Sequence, residues 1–497
     1  MQDLRLCRRV APVVDAGRKE GCAMDRLSPL DSLFLHVEDG VTHMHIASCA
    51  IFEGPPPRYQ EFVDLVARKL PLLRRYRQRV RFVPGQLGRP VWVDDPHFNL
   101  AYHVRHSALP PPGGEEELNN LMGRLMAVEL DRHRPLWEVW MIEGLAGGRW
   151  ALISKVHHCM VDGISGTDLM VQLLDSTRRQ RKQTQEAWVP APEPSDAGLV
   201  AGAVMDLLRT PAEQARAARA MLRRPWSAVA ALGDMLGGAM VLERGLRPTR
   251  ALSIDGAIGP HRRWAVARTT LDELKAIRTA FGGTVNDVVL TVITGAFRDL
   301  LLERGESVDD AVLHSLVPVS VRPADDRTPN NQVATMIAEL PVGIGDPAER
   351  LDSIGQQMTD LKASHEAEAS EAMNAVAGFT PPMLYALGLR SATAALRRIP
   401  QRNVNTVTTN VPGPQFPLYA LGREMVEYLP YVPLSQGVRI GVAILSYNGH
   451  LRFGVTGDYD TVPEVQWFCG RIEACITELS RRAGHVTDEI KPRPLAG

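Results

Sequence analysis

The stretch WEVWMIEGLAGGRWALISKVHHCMVDGISGTDLMVQLL, residues 137–174, decides how the first part of this chain folds. From Trp137 to Gly144 bulky apolar residues alternate with charge in strand fashion. Gly147-Gly148 then supplies the positive backbone dihedrals of a tight turn, and Ala151 to His158 reads as the returning strand. Beyond it, Ser165 followed three positions later by Asp168 has the form of a capping box, and Leu169, Leu173 and Leu174 recur at helical spacing. The two adjacent histidines, His157 and His158, therefore sit where a strand gives way to a short loop and then a helix.

That placement needs a reason, because His157-His158-Cys159-Met160-Val161-Asp162-Gly163 is the densest cluster of chemistry-bearing side chains in the sequence. Neighbours on a strand point to opposite faces, so at most one of the two imidazoles faces a given cavity while both are extended. An imidazole with a pKa near ~6.5 can accept a proton from an alcohol at neutral pH. Asp162 suits a role in fixing the loop, by bonding back toward the histidine backbone or pairing with an arginine, and Gly163 permits a sharp backbone reversal. On spacing alone the pair equally suits a satisfied polar patch at a strand end. A metal site is disfavoured, since adjacent strand histidines diverge and no further Cys/His cluster lies nearby. Nothing matches GxSxG, a Walker A loop or a GxGxxG followed by an acidic residue.

Outward from this stretch, 497 residues exceed what one hydrophobic core usually organises, so two core-bearing halves are expected. Fifty-six Lys and Arg against 57 Asp and Glu give a net charge of −1, with no overall field for a polyanion, so nucleic acid is not an expected partner. The six cysteines are scattered without a CxxC pair, which suits a reducing compartment and neither a disulfide framework nor structural zinc. Residues 1–23 read as a loose, arginine-bearing extension without a signal-peptide pattern. Asp234 and Asp287 interrupt the most apolar runs, so no segment is expected to span a bilayer.

After about Gln180 the composition turns Pro- and Ala-rich, then Ala/Arg-rich, as a long crossover between halves would. Helical pattern resumes at Leu271 to Ala280, followed by a buried Val-rich element at Val285 to Val292. Val438 to Tyr447, Asn448-Gly449 and Leu451 to Val455 read as a hairpin with a type I′ turn.

An ordered set of motifs resembles one family. It runs through Leu27-Ser28-Pro29-Leu30-Asp31, Met44-His45-Ile46, Arg134-Pro135-Leu136-Trp137-Glu138, the HHxxxDG stretch at 157–163 and Gly259-Pro260-His261-Arg262-Arg263. It continues with Asn286-Asp287, Pro318-Val319-Ser320-Val321-Arg322, Asn410-Val411-Pro412-Gly413-Pro414 and Gly457-Asp458-Tyr459-Asp460. The set resembles the bacterial wax ester synthase/acyl-CoA:diacylglycerol acyltransferases, relatives of chloramphenicol acetyltransferase and of peptide condensation domains. It covers roughly Met24 to the C-terminal helix. Asn330-Asn331 and Thr409 depart from the family pattern, and the extension before Met24 has no counterpart in it.

The resemblance implies an α/β (α+β) fold of two chloramphenicol acetyltransferase-like halves, each a mixed sheet with flanking helices. The expected division is an extension (1–23), an N-terminal half (24–180), a crossover with helices (181–262) and a C-terminal half (263–497). It implies transfer of a long-chain acyl group from acyl-CoA to diacylglycerol, forming triacylglycerol, with long-chain alcohols or a specialised hydroxyl compound as alternative acceptors. His158 is then the general base, His157 and Asp162 organise it, and Asn286 contacts substrate or the oxyanion unless it merely caps a helix. Gly163, Pro135 and Trp137 are expected as structural neighbours, and Arg322 as the ion-pair partner of Asp162. No metal or cofactor is implied, acyl-CoA being a co-substrate. The expected location is cytoplasmic, at the inner face of the plasma membrane or on lipid inclusions. Arg216, Arg219 and Arg223, at i, i+3 and i+7, are a candidate docking face, and equally a solvated basic face.

Overall fold

A computed structural model of the chain describes residues 25–160, 168–179, 188–205, 250–320, 333–363 and 404–484. In chain order the first half supplies β1 (His45–Phe52), a small hairpin of β2 (Gln78–Arg81) and β3 (Val91–Asp94), then β4 (Val104–Ala108), β5 (Trp137–Leu145) and β6 (Arg149–His157). The later chain supplies β7 (Asp255–Gly256), β8 (Arg262–Thr270), β9 (Leu313–Ser320), β10 (Val333–Leu340), β11 (Thr406–Pro412), β12 (Tyr419–Ala420), β13 (Arg423–Tyr431), β14 (Gly437–Val438), β15 (Ile440–Tyr447) and β16 (His450–Asp458).

Two six-stranded mixed sheets result, in the orders β12-β13-β1-β6-β5-β4 and β10-β9-β11-β15-β16-β8. Both hairpins expected from the sequence form. Gly147 and Gly148 turn at φ of 76° and 67° between β5 and β6, and Asn448 and Gly449 at 46° and 81° between β15 and β16. The β6 strand is buried along nearly all its length because it is interior to its sheet, with His157 opposite His45 of β1 and Val156 opposite Trp137 of β5.

The Val-rich element at Val285 is the start of a 19-residue helix, Val285–Glu303, whose Thr284 cap and Asp287 bond each other's backbone amides reciprocally. It lies in the core of the second half with Phe297, Ile293 and Leu300 fully buried. Helix Val465–Arg482 packs there too, Phe468 meeting Phe297 edge-on at 4.9 Å.

The halves are interlocked. Strands β12 and β13, late in the chain, complete the first sheet, and β13 lies so close to the second sheet that a β-carbon at Gly454 of β16 would overlap the Pro430 carbonyl oxygen. Glu427 of β13 bonds Arg268 of β8 and Arg452 of β16, at 3.1 and 3.0 Å. Burial would raise its carboxyl pKa, but the two guanidiniums hold it below the usual carboxylate range. Residues 196–205 are helical, and Leu199 and Ala203 cover Val83, Val91 and Val93 around the β2–β3 hairpin.

Candidate active site

His157 ends β6 and His158 opens a single 3-10 turn, His158–Met160. The turn is held at both sides by neighbouring strands. The His157 amide donates to Leu136 O at 2.9 Å, in the Pro135-Leu136-Trp137 segment, and the His158 amide donates to Met44 O at 2.8 Å, just before β1. The two rings then part. That of His157 is fully buried, whereas His158 keeps partial exposure.

The His158 imidazole stacks on Phe34 at 4.0 Å between centroids. Phe34 belongs to the Pro29–Val37 helix, which Ser28 caps at the Asp31 amide. The Nδ1 atom of His158 is buried and has no hydrogen-bond partner among the described residues. Burial is the main cause that lowers the ring's pKa to about 4, and the nearby His157 adds to it. At neutral pH the ring is therefore an uncharged base.

The His157 ring is oriented by three partners. The Cys159 amide donates to Nδ1 at 3.1 Å, Cys159 Sγ lies 3.0 Å from the same atom, and Nε2 lies 3.4 Å from Glu38 Oε2. Glu38 is itself buried, accepting the Met44 amide at 3.0 Å and the Arg132 guanidinium at 2.7 Å. Burial would raise its carboxyl pKa, but bonds from His157 and Arg132 prevail and bring it to about 2.

Behind this layer lies a seam of polar side chains. The rings of His43 and His45 stack at 5.7 Å, and His45 Nε2 meets Met126 O at 3.0 Å. Lys155 Nζ donates to Leu125 O and Val128 O, so an ammonium and an imidazole together cap the last turn of helix Glu115–Met126. Burial depresses the Lys155 pKa to about 8 and holds His45 well below the ordinary histidine value.

Trp137 is wholly buried in the first half's core, its Nε1 donating to Tyr76 O at 2.7 Å and its ring stacked on His103. Pro135 is buried beside it and accepts the Trp137 amide at 2.9 Å. Asn286 is the second residue of helix Val285–Glu303 rather than its cap, which is Thr284. Its Oδ1 accepts from Asn410 Nδ2 at 3.2 Å, and no hydrogen bond joins it to either histidine among the described residues. Asp162, Gly163 and Arg322, and the arginines at 216, 219 and 223, lie outside the described residues.

Glu38, Phe34 and Arg132 were not singled out from the sequence. Glu38 reaches the histidines only because Asp39 Oδ1 accepts the Val41 and Thr42 amides and turns the chain back. Local spacing carries no trace of that contact. Between the halves runs a cleft of about 950 Å³ with Arg124, His261, Arg263, Trp264 and Tyr459 in its walls, and neither histidine is among its lining residues. Among the described residues no group of three or more acidic, His or Cys side chains is placed to hold a metal ion, and no helix is long and apolar enough to cross a membrane.

Family models agree with this architecture. The wax ester synthase/diacylglycerol acyltransferase catalytic domain matches residues 27–289, and the corresponding C-terminal domain matches residues 330–480. The chain belongs to the wax ester synthase/diacylglycerol acyltransferase family. A relative from Mycobacterium tuberculosis H37Rv, named as a probable diacylglycerol O-acyltransferase, tgs1, is 38% identical over 474 residues, spanning 92% of this chain and 96% of that one. The solved wax ester synthase/diacylglycerol acyltransferase of Marinobacter aquaeolei VT8 superposes with a TM-score of 0.63 at 26% identity, covering 92% of this chain and all of that one. The first condensation domain of the calcium-dependent antibiotic synthetase shares the fold, with a TM-score of 0.56 at 18% identity over 93% and 97% of the two chains. The fold expected from the sequence, two such halves with mixed sheets, is the family's own.

Proposed function

We propose that this chain transfers a long-chain acyl group from acyl-CoA to the free hydroxyl of diacylglycerol, with His158 as general base. The observation that carries the reading is an uncharged, partly exposed imidazole at the end of an inner strand, on a turn clamped by two neighbouring strands. With Nδ1 buried, Nε2 is the nitrogen available to a reactant. His158 takes the hydroxyl proton as the oxygen attacks the thioester carbonyl. It returns that proton to the coenzyme A thiolate as the carbon–sulfur bond breaks, so no covalent acyl-enzyme and no metal are needed. His157 and Asp162 organise the base, Arg322 pairs with Asp162, and Gly163 allows the loop to reverse. Pro135 and Trp137 support the turn, and Asn286, tied to Asn410, contacts the substrate or the developing oxyanion. In this reading the base lies in a half spanning 24–180, a crossover spans 181–262, and 263–497 forms the other half. The two acyl substrates place the enzyme peripherally on a lipid surface, at the inner face of the membrane or on inclusions.

The family's description supports a second acceptor, a long-chain alcohol giving a wax ester. Purified protein supplied with radiolabelled palmitoyl-CoA and, in parallel, diacylglycerol and hexadecanol separates the two. The expected result is label in triacylglycerol, reduced roughly 10²–10⁴-fold in His158→Ala. Label in wax ester alone transfers the assignment to the alcohol, and full activity in the variant removes His158 as base.

A further inference from the structure

We propose that Glu38 is the positioning carboxylate of the histidine pair: it fixes the His157 ring and the Met44 peptide, and through both it aims the His158 imidazole. This rests on His158 being the base. Glu38 itself touches no reactant.

The case begins with proton positions. Because the Cys159 amide donates to His157 Nδ1, that nitrogen must accept, and the ring's proton is on Nε2. That Nε2–H lies 3.4 Å from Glu38 Oε2, the one carboxylate within 4 Å of it among the described residues. A histidine whose far nitrogen is held by a carboxylate has its tautomer and ring plane fixed, the same logic by which outer partners orient histidines at metal and triad sites. The other oxygen of Glu38 accepts the Met44 amide at 3.0 Å, and the next group of that residue, Met44 O, accepts the His158 amide at 2.8 Å. One carboxylate thus touches both the ring before His158 and the residue whose carbonyl holds the His158 amide.

Arg132 is Glu38's countercharge, bonding Oε2 through two nitrogens at 3.2 and 2.7 Å. An ion pair alone would account for a buried glutamate. It would not account for the division of labour, in which Oε2 is shared between Arg132 and His157 while Oε1 serves the strand that holds the base. Phe34 closes the arrangement from the helix just before Glu38, stacking on the ring so aimed.

The test uses the full chain with Glu38→Ala, Glu38→Gln and Glu38→Asp, alongside His158→Ala. Steady-state kinetics with palmitoyl-CoA, melting temperature and the ring-nitrogen NMR signals of ¹⁵N-histidine-labelled protein are measured for each. In Glu38→Ala kcat is expected to fall about 10²-fold with KM for palmitoyl-CoA nearly constant, the signature of misplaced geometry rather than lost binding. The His157 Nε2–H signal shifts or splits between tautomers. Glu38→Gln, whose amide oxygen can still accept, recovers part of kcat, whereas Glu38→Asp, a methylene too short, recovers less. The proposal is overturned if kcat holds in Glu38→Ala. It is equally overturned if kcat falls only with the folded fraction while the His157 signals stay put. Should Glu38→Ala not fold, Glu38→Gln carries the same two readouts. If His158→Ala stays active while Glu38→Ala still disturbs the His157 tautomer, the base assignment fails and the positioning of the pair stands. If His158→Ala is inactive and Glu38→Ala changes neither readout, only the present proposal fails.

Discussion

The two sheets of this enzyme have the same number of strands and the same mixed pattern, yet buried unpaired polar groups gather at one end of the first and are sparse in the second. In the second half several buried hydroxyls are paired: Thr406 with Ile440 O, Ser315 with Thr408, and Thr269 and Ser480 with Glu273, all at 2.7–2.9 Å. Around the end of β6 in the first sheet they are not. Both nitrogens of His43, Nδ1 of His45 and of His158 and the Thr42 hydroxyl are buried without a hydrogen bond among the described residues, and Nε2 of His157 has only its 3.4 Å approach to the Glu38 carboxylate. Each such group costs on the order of 1–3 kcal/mol. A fold that gathers most of its unpaired buried polar groups beside one strand end, with Thr456 Oγ1 and Asp287 Oδ1 isolated in the other half, has much of its stability and its chemistry in different places, as functional sites commonly do.

The largest expected effect of that asymmetry is on acid stability. His103 and His158 are held to pKa values of about 4, mainly by burial, and His43 and His45 are lowered by burial as well. All four lie in the first half. A histidine kept neutral when folded takes up its proton in the unfolded chain near 6.5, so stability is constant above that pH, falls as pH drops from 6.5 toward 4, and levels off below. His103 and His158 each withdraw up to about 1.4 kcal/mol per pH unit over that window, and His43 and His45 act in the same direction. Pulse-labelling hydrogen exchange after equilibration at pH 7 and pH 4.5 is expected to show β1 and β6 losing protection before β15 and β16. Simultaneous loss, or earlier loss in the second sheet, would break the comparison.

A core truncation in the second half is the next probe. Phe297 is fully buried against Phe468, and Phe297→Ala is expected to cost about 3–5 kcal/mol. Activity per folded molecule should change little if that half supplies mainly support. A denaturant titration paired with active-site-normalised kcat reads both quantities, and a kcat loss well beyond the unfolded fraction would show that the second core tunes the base directly.

How much of this was legible beforehand follows the range of each interaction. The two hairpins and the strand–turn placement of His157 and His158 depend on neighbours in sequence, through Gly147-Gly148, Asn448-Gly449 and alternation, and they could be read directly. The Val285 segment could be read as buried but not as a helix, because a run apolar on every side has no period to detect. That β13 would leave the second half to lie beside β1 has no local sign, since its residues specify a strand and not a sheet. Glu38 illustrates the same limit within the site. An acidic residue after an amphipathic helix reads as solvated surface until the Asp39 turn brings it under His157, 119 positions later in the numbering.

The smallest expected effect tests what holds Asn286, the second half's proposed contribution to the site, in place. Helix Val285–Glu303 begins with Thr284, whose Oγ1 accepts the Asp287 amide at 3.2 Å while Asp287 returns the bond to the Thr284 amide at 2.7 Å. Thr284→Ala removes half of this reciprocal cap and is expected to cost about 1 kcal/mol. That corresponds to a fall in melting temperature of a few degrees, roughly 2–4 °C by the behaviour of mid-sized domains. Asn286, two residues along, is held independently by Asn410, so its amide should stay in place and kcat should be nearly unchanged. A loss of kcat out of proportion to the melting shift would mean that Asn410 alone does not hold the Asn286 amide where the reaction needs it, and that the capped first turn of this helix is chemical as well as supporting.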